Sequence, residues 1–201
     1  MRYGPVKMTY IAKVKICGIT NAEDAAAAVE AGADALGFVL YRKSPRYIEP
    51  TVARQIIMSL PPLVTPVGVF VDEDQQVVRN LMDDCGLAFA QLHGNESATY
   101  CQELGRPVLK ALRVKDRSTF LALAEFRGRA GVRGFVLDAF SEQAYGGTGQ
   151  LIDWQLAAEA AKAASILLAG GLTPDNVEKA IQAVQPYGVD VSSGVERAPG
   201  K

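Results

Sequence analysis

The chain has 201 residues, 49% apolar and 21% charged, and its 21 basic and 22 acidic side chains leave a net charge of −1. This composition excludes a disordered chain, and the charge balance predicts no nucleic acid and no membrane surface as partner. There is no apolar run of the ~18 residues needed to span a bilayer and no signal-peptide core, and three cysteines without a CxxC pair fit reduced thiols in a cytoplasmic protein.

Residues 1–12 read as a leader and 13–201 as one domain, since no linker or low-complexity tract interrupts them. A first strand is predicted at Lys13–Cys17. Thr20-Asn-Ala-Glu23 then has capping-box spacing, with Thr20 as cap and Gly32 at the helix stop. Strand two, Ala35–Leu40, runs into a long loop carrying Lys43-Ser44-Pro45-Arg46. Strand three is Thr65–Val71, and Asp72-Glu-Asp-Gln75 opens a helix with Val77, Val78, Leu81 and Met82 on one face. Gly86 closes that helix; strand four, Ala88–Leu92, precedes a fourth helix that Gly105 closes. Strands five to seven follow at Val108–Leu112, Gly134–Asp138 and Ile166–Ala169. Thr173-Pro174-Asp175 reads as a cap with Pro at the first helical position and a carboxylate favoured by the helix dipole. Strand eight is Gly188–Val191.

Each predicted strand is almost continuously apolar, as strands buried on both faces of a parallel sheet are. Eight such strands alternating with seven helices predict an α/β fold, a single (β/α)8 TIM barrel, with an open doubly wound sheet as the competitor. Val195–Lys201, which contains Pro199 and Gly200, cannot supply an eighth helix. Apolar surface is therefore expected on the outside between the first and last helices.

In such a barrel the chemistry gathers at the carboxyl ends of the strands. The polar residues there include Cys17, Arg46, Asp72, Gln91, His93, Arg113 and Asp138. Ala169-Gly170-Gly171-Leu172 and Ser192-Ser193-Gly194 fall after strands seven and eight, where a phosphate site recurs in this fold and bare backbone can approach an anion closely. Cys17 precedes a helix start, which would favour its thiolate; it reads equally as a small buried hydrophobe. Asp138 ends an apolar strand, where desolvation keeps a carboxyl protonated, or else it closes a loop. Strands one and six lie three apart on an eight-strand ring, so a ligand between them meets a base and an acid. Arg46 offers a planar fork for a carboxylate, or belongs to a solvated basic loop. Gln91 and His93 read equally as structural residues and as ligand contacts, and the lone histidine leaves no His-rich metal site.

Seven motifs in order narrow this further: Lys15-Ile-Cys-Gly-Ile-Thr20, Gly37-Phe-Val-Leu40 leading to Ser44-Pro-Arg46, Gln91-Leu-His-Gly94, Phe135-Val-Leu-Asp138, Gly146-Gly-Thr-Gly149, Leu168-Ala-Gly-Gly-Leu172 and Val189-Asp-Val-Ser-Ser-Gly-Val-Glu196. Over about residues 13–199 the chain resembles the phosphoribosylanthranilate isomerases of tryptophan biosynthesis. The resemblance implies a (β/α)8 barrel that uses no metal and no organic cofactor. It implies an Amadori rearrangement of a small-molecule substrate, N-(5-phosphoribosyl)anthranilate, by a monomer or homodimer. It places the general base on Cys17, the general acid on Asp138 and the carboxylate contact on Arg46. The phosphate cradle falls on Gly170, Gly171, Ser193 and Gly194, with Gly147 in a closing loop, and His93 and Asp190 lie near the sugar. A histidine-pathway aldose–ketose isomerase is the nearest alternative, although a pair of aspartates would be expected there. A non-catalytic phosphate-binding barrel is the other.

Overall fold

The computed structural model describes residues 11–139 and 152–201. The strands are β1 (Lys13–Cys17), β2 (Ala35–Val39), β3 (Thr65–Phe70), β4 (Phe89–Leu92), β5 (Val108–Val114), β6 (Val132–Ala139), β7 (Ile166–Leu168) and β8 (Gly188–Val191). Between them run α1 (Ala22–Glu30), α2 (Pro50–Met58), α3 (Gln75–Cys85), α4 (Ala98–Glu103), α5 (Ser118–Phe126), α6 (Trp154–Ala163) and α7 (Val177–Val184). All neighbouring strands pair in parallel, and β8 returns to β1, so the sheet is a closed barrel and not the open alternative.

Strand alternation sorts side chains into two compartments. The large one lies between sheet and helices, where Leu36 and Phe38 of β2 and Ile166 and Leu168 of β7 are fully buried against the helical layer. The other is the barrel interior, where a small cluster of Ala111, Val136 and Ala169 with Leu109 and Leu167 leaves room for polar groups near the carboxyl ends. Val14 and Ile16, the outward residues of β1, stay partly exposed. After β8 the chain makes a 3-10 turn, Ser193–Val195, and reaches Lys201 without an α-helix. Among the described residues no helix covers the outside of β1, and the apolar exposure there is modest.

Two helix starts differ from expectation. Asn21, not Thr20, caps α1: its side chain accepts from the Asp24 N–H at 2.8 Å, while the Thr20 hydroxyl donates to the Gly200 carbonyl. Thr173 does not cap α7. Its N–H donates to the Asn176 side chain and its carbonyl accepts from Asn176 and Val177, so residues 173–176 close on themselves as a turn and the helix begins at Val177. Asp74 caps α3 from within the expected acidic run. Gly32, Gly86 and Gly105 all adopt positive φ at the expected helix stops.

Candidate active site

The strands end around a cavity of about 650 Å³ whose wall includes Cys17, Arg46, His93, Asp138, Asp190 and Ser193, together with Gly170 and Gly171. A second cavity, about 420 Å³, opens at the amino-end mouth. Its Lys13 and Asp34 are spent on each other at 2.7 Å, and it lies at the face where this fold keeps stability rather than chemistry.

Each inner residue arrives by the two-residue period of its strand. On β6, Gly134, Val136 and Asp138 point inward; on β4 and its continuation, Phe89, Gln91 and His93 do. Gln91 Nε2 lies 3.2 Å from His93 Nδ1, so the amide can donate to that nitrogen when the ring proton is on Nε2. That Nε2 faces Asp138 Oδ2 at 3.3 Å, outside good hydrogen-bond alignment, while Asp138 Oδ1 accepts from the Ala139 N–H at 2.8 Å. The carboxyl is thus fixed through one oxygen, and its other oxygen lies beside the imidazole on the cavity wall. Gln91 Oε1 is buried with no partner among the described residues.

Across the mouth, Cys17 ends β1 half-buried and free of any disulfide. The helix-start environment was expected to favour its thiolate. Instead burial pushes the thiol up to about 11; Lys15 pulls the other way, Asp190 adds to the rise, and Arg46 opposes it. The dipole of α1 loses to desolvation because Cys17 lies four residues before the cap, beyond the first turn where that field acts.

Arg46 sits in the β2–α2 loop with both Nε and one Nη donating to Glu196 at 2.7 Å. Burial opposes its charge, but the Glu196 bonds prevail and hold the guanidinium above its ordinary pKa. Glu196 in turn accepts from the Gly200 N–H, which fastens the chain end to the mouth. Gly170 and Gly171 both take positive φ. A side chain at Gly194 would collide with the Leu172 carbonyl, so the loops after β7 and β8 are clamped together along one edge of the cavity. Gly147 lies outside the described residues.

Among the other polar strand ends, Asp72 turns away from the cavity and binds the Asn95 N–H and side chain, and Arg113 pairs in register with Asp138 without lining the cavity. Sequence reasoning missed Lys15, which is 1% exposed inside the barrel and donates to Asp190 at 2.7 Å. It also missed the buried pair Lys110–Glu96, 2.8 Å apart. Lys110 further donates to the Leu92 and Gly94 carbonyls, and Glu96 accepts from the Asp72 and Gly94 N–H groups. The available signal was a lysine inside an apolar strand, in Lys-Val-Lys-Ile-Cys and again in Val-Leu-Lys-Ala-Leu.

A thiol and a carboxyl on facing strands, a guanidinium at the rim and paired glycine loops after the last two strands form, in a closed (β/α)8 barrel, a site suited to acid–base chemistry on an anionic ligand. Comparison with known proteins makes this specific. The family model for N-(5'-phosphoribosyl)anthranilate (PRA) isomerase matches residues 14–201. An N-(5'-phosphoribosyl)anthranilate isomerase from Pelobacter propionicus is 53% identical over 189 residues, covering 94% of this chain and 88% of its own length. One from Geotalea uraniireducens is 55% identical over 188 residues, covering 94% and 91%. The crystal structure of the Thermotoga maritima enzyme superposes with a TM-score of 0.88 at 41% identity, covering 95% of this chain and 92% of that one. The chain belongs to the phosphoribosylanthranilate isomerase family and is an isomerase of tryptophan biosynthesis.

Proposed function

We infer that the cavity converts N-(5-phosphoribosyl)anthranilate into 1-(2-carboxyphenylamino)-1-deoxyribulose 5-phosphate, with Asp138 as general acid and Cys17 as general base. The observation that carries this reading is that both side chains reach one cavity from β1 and β6, and that Arg46 and the two glycine loops line that same cavity. A relative with 41% identity and a TM-score of 0.84 has been crystallised with the reduced form of that product.

Asp138 gives its proton to the furanose ring oxygen. The bond from C1 to that oxygen breaks as the anilino nitrogen's lone pair forms the C1=N iminium. The Cys17 thiolate then takes the C2 proton, and the C–H electrons form C1=C2 as nitrogen recovers its pair. The resulting enolamine becomes the ketone when the C2 hydroxyl gives up its proton and C1 takes one, so no atoms are gained or lost. His93 steadies the freed Asp138 carboxylate, and Asp190 lies near the sugar hydroxyls. Gly170, Gly171, Ser193 and Gly194 take the phosphate.

General acid–base help supplies about 10²–10⁴-fold per group; holding phosphate and carboxylate at opposite ends of the cavity supplies the rest. Since one group must be protonated and the other ionised, kcat/KM is bell-shaped in pH; burial holds the Cys17 thiol near 11 in the empty site, so the thiolate share rises with pH up to that value. A reaction run on a free thiol fits a reducing, cytoplasmic setting. The chain works as a monomer or homodimer; a Thermotoga maritima relative is described as dimeric.

Replacing Cys17 by Ser or Asp138 by Asn, with turnover and reduced-product affinity measured together, tests the assignment. Each variant is expected to lose most turnover while still binding the reduced product. Turnover near wild type in either would remove that residue from its role.

A further inference from the structure

Lys15 stands two residues before Cys17 on β1, so both side chains enter the barrel from the same strand. In the β1–β8 register Lys15 is the direct partner of Asp190, and its ammonium donates to Asp190 Oδ1 at 2.7 Å with both groups buried. On the opposite side β2 presents only Gly37. A β-carbon placed there would lie 2.7 Å from Cys17 Sγ and 3.1 Å from Lys15 Nζ, so sulfur and ammonium share one small space that a side chain on β2 would fill. Lys15 does not line the catalytic cavity, whereas Cys17 and Asp190 do. Whatever it does for catalysis, it does through them.

A buried ammonium is costly unless paired, and a neutral apolar residue would fill the barrel at least as well. We propose that Lys15 is a positioning residue for the Cys17 thiolate, its ammonium held by Asp190 and shared with the sulfur when Cys17 ionises. The proposal rests on Cys17 being the base.

Every charged group facing the sulfur among the described residues fits this division of labour. Asp190 comes from β8 and Arg46 from the β2–α2 loop, while Asp138 and His93 lie across the cavity on β6 and β4. Burial disfavours charge on Lys15, yet Asp190 and then Cys17 hold its pKa above the ordinary value. Lys15 is the leading influence that opposes the burial-driven rise of the thiol. When Cys17 takes the substrate proton and becomes neutral, the ammonium keeps Asp190 as its partner, so no charge is stranded in either half of the cycle.

The test is the rate of Cys17 carbamidomethylation by iodoacetamide at pH 8.5, read by mass spectrometry on the Cys17 peptide, alongside steady-state turnover. Lys15→Met is expected to alkylate about tenfold more slowly, because the thiolate fraction falls tenfold for each pKa unit gained. kcat/KM should drop by about the same factor, while affinity for the reduced product stays within about threefold. A merely structural role predicts the reverse, since a loosened barrel exposes the sulfur and speeds alkylation. If Lys15→Met does not fold, because Asp190 is left unpaired, Lys15→Met/Asp190→Asn removes both charges at nearly constant volume. Slower alkylation than wild type is again expected, by less. Unchanged or faster alkylation in either folded variant overturns the proposal. Alkylation does not depend on turnover, so an inactive wild-type protein would count against the isomerase assignment alone.

Discussion

Arg46 donates through Nε and one Nη to Glu196, which leaves the other Nη for an incoming carboxylate. Arg46→Ala should raise KM by about 10–100-fold, the worth of a charge-assisted hydrogen bond, with a much smaller effect on kcat because a ground-state anchor has gone. Glu196→Gln keeps the guanidinium but loosens its aim, so a smaller rise in KM is expected. Initial-rate kinetics over a range of substrate concentration separates the two parameters, and a fall in kcat with unchanged KM would contradict the anchor role. At this scale Cys17, Arg46, His93 and Asp138 stood out because each lies at a strand's carboxyl end or in the loop beyond it, whereas Asp190 came only from the family resemblance; all five line one cavity. Lys15 was not, because a lysine in a strand pattern ordinarily marks an exposed face. Only closure of β8 onto β1 puts Asp190 beside it. The thiol's shift was misjudged for a related reason: sequence shows the helix start but not the burial that outweighs it.

Among the elements, the β4–α4 connection carries His93 into the cavity and is held from outside the barrel by Lys110 and Glu96. Both are buried and fully engaged, so Glu96→Ala leaves an ammonium without its carboxylate and should cost about 3–5 kcal/mol in urea denaturation. Asp74→Ala, which removes two cap bonds from α3, should cost only about 1 kcal/mol. Equal losses in the two variants would mean that the buried pair is not what secures the connection. Strands were easy to read because a doubly buried parallel strand has no polar face to confuse its pattern; β1 and β8 have the expected limits. Helix starts were harder. Thr20 and Thr173 are both good caps in isolation, and which residue caps depends on where the chain leaves its strand. Asn176 reaching back to the Thr173 N–H is a local competitor that residue preferences do not rank.

For the whole molecule, the barrel is complete as a sheet and, among the described residues, thinner as a helical layer beside β1. Val14 and Ile16 stay partly exposed there, while Leu36 and Phe38 on the next strand are sealed. Appending an amphipathic helix after Lys201 should therefore raise Tm in a thermal melt; an unchanged Tm would mean that this face is already covered. Stability should also depend on alkaline pH. Burial raises Cys101 to about 11 and Tyr100 to about 12, and raises Cys85 as well. The folded chain therefore keeps protons that the unfolded chain releases. That contribution is fully present below the unfolded pKa values and is lost as pH rises through the folded ones. Tm should be steady to about pH 8.5 and fall between roughly pH 9 and 12, less steeply in Cys101→Ala; a melt series insensitive to pH in that range would contradict it.

The fold, the paired loops and the facing thiol and carboxyl carry the proposed reaction, and one assay reaches it directly. Freshly generated phosphoribosylanthranilate is mixed with the purified chain and its fluorescence is followed in the steady state. The expected result is a decay rate proportional to enzyme, lost in Cys17→Ser and in Asp138→Asn. A folded wild-type chain that leaves the substrate decaying at the buffer rate would contradict the account.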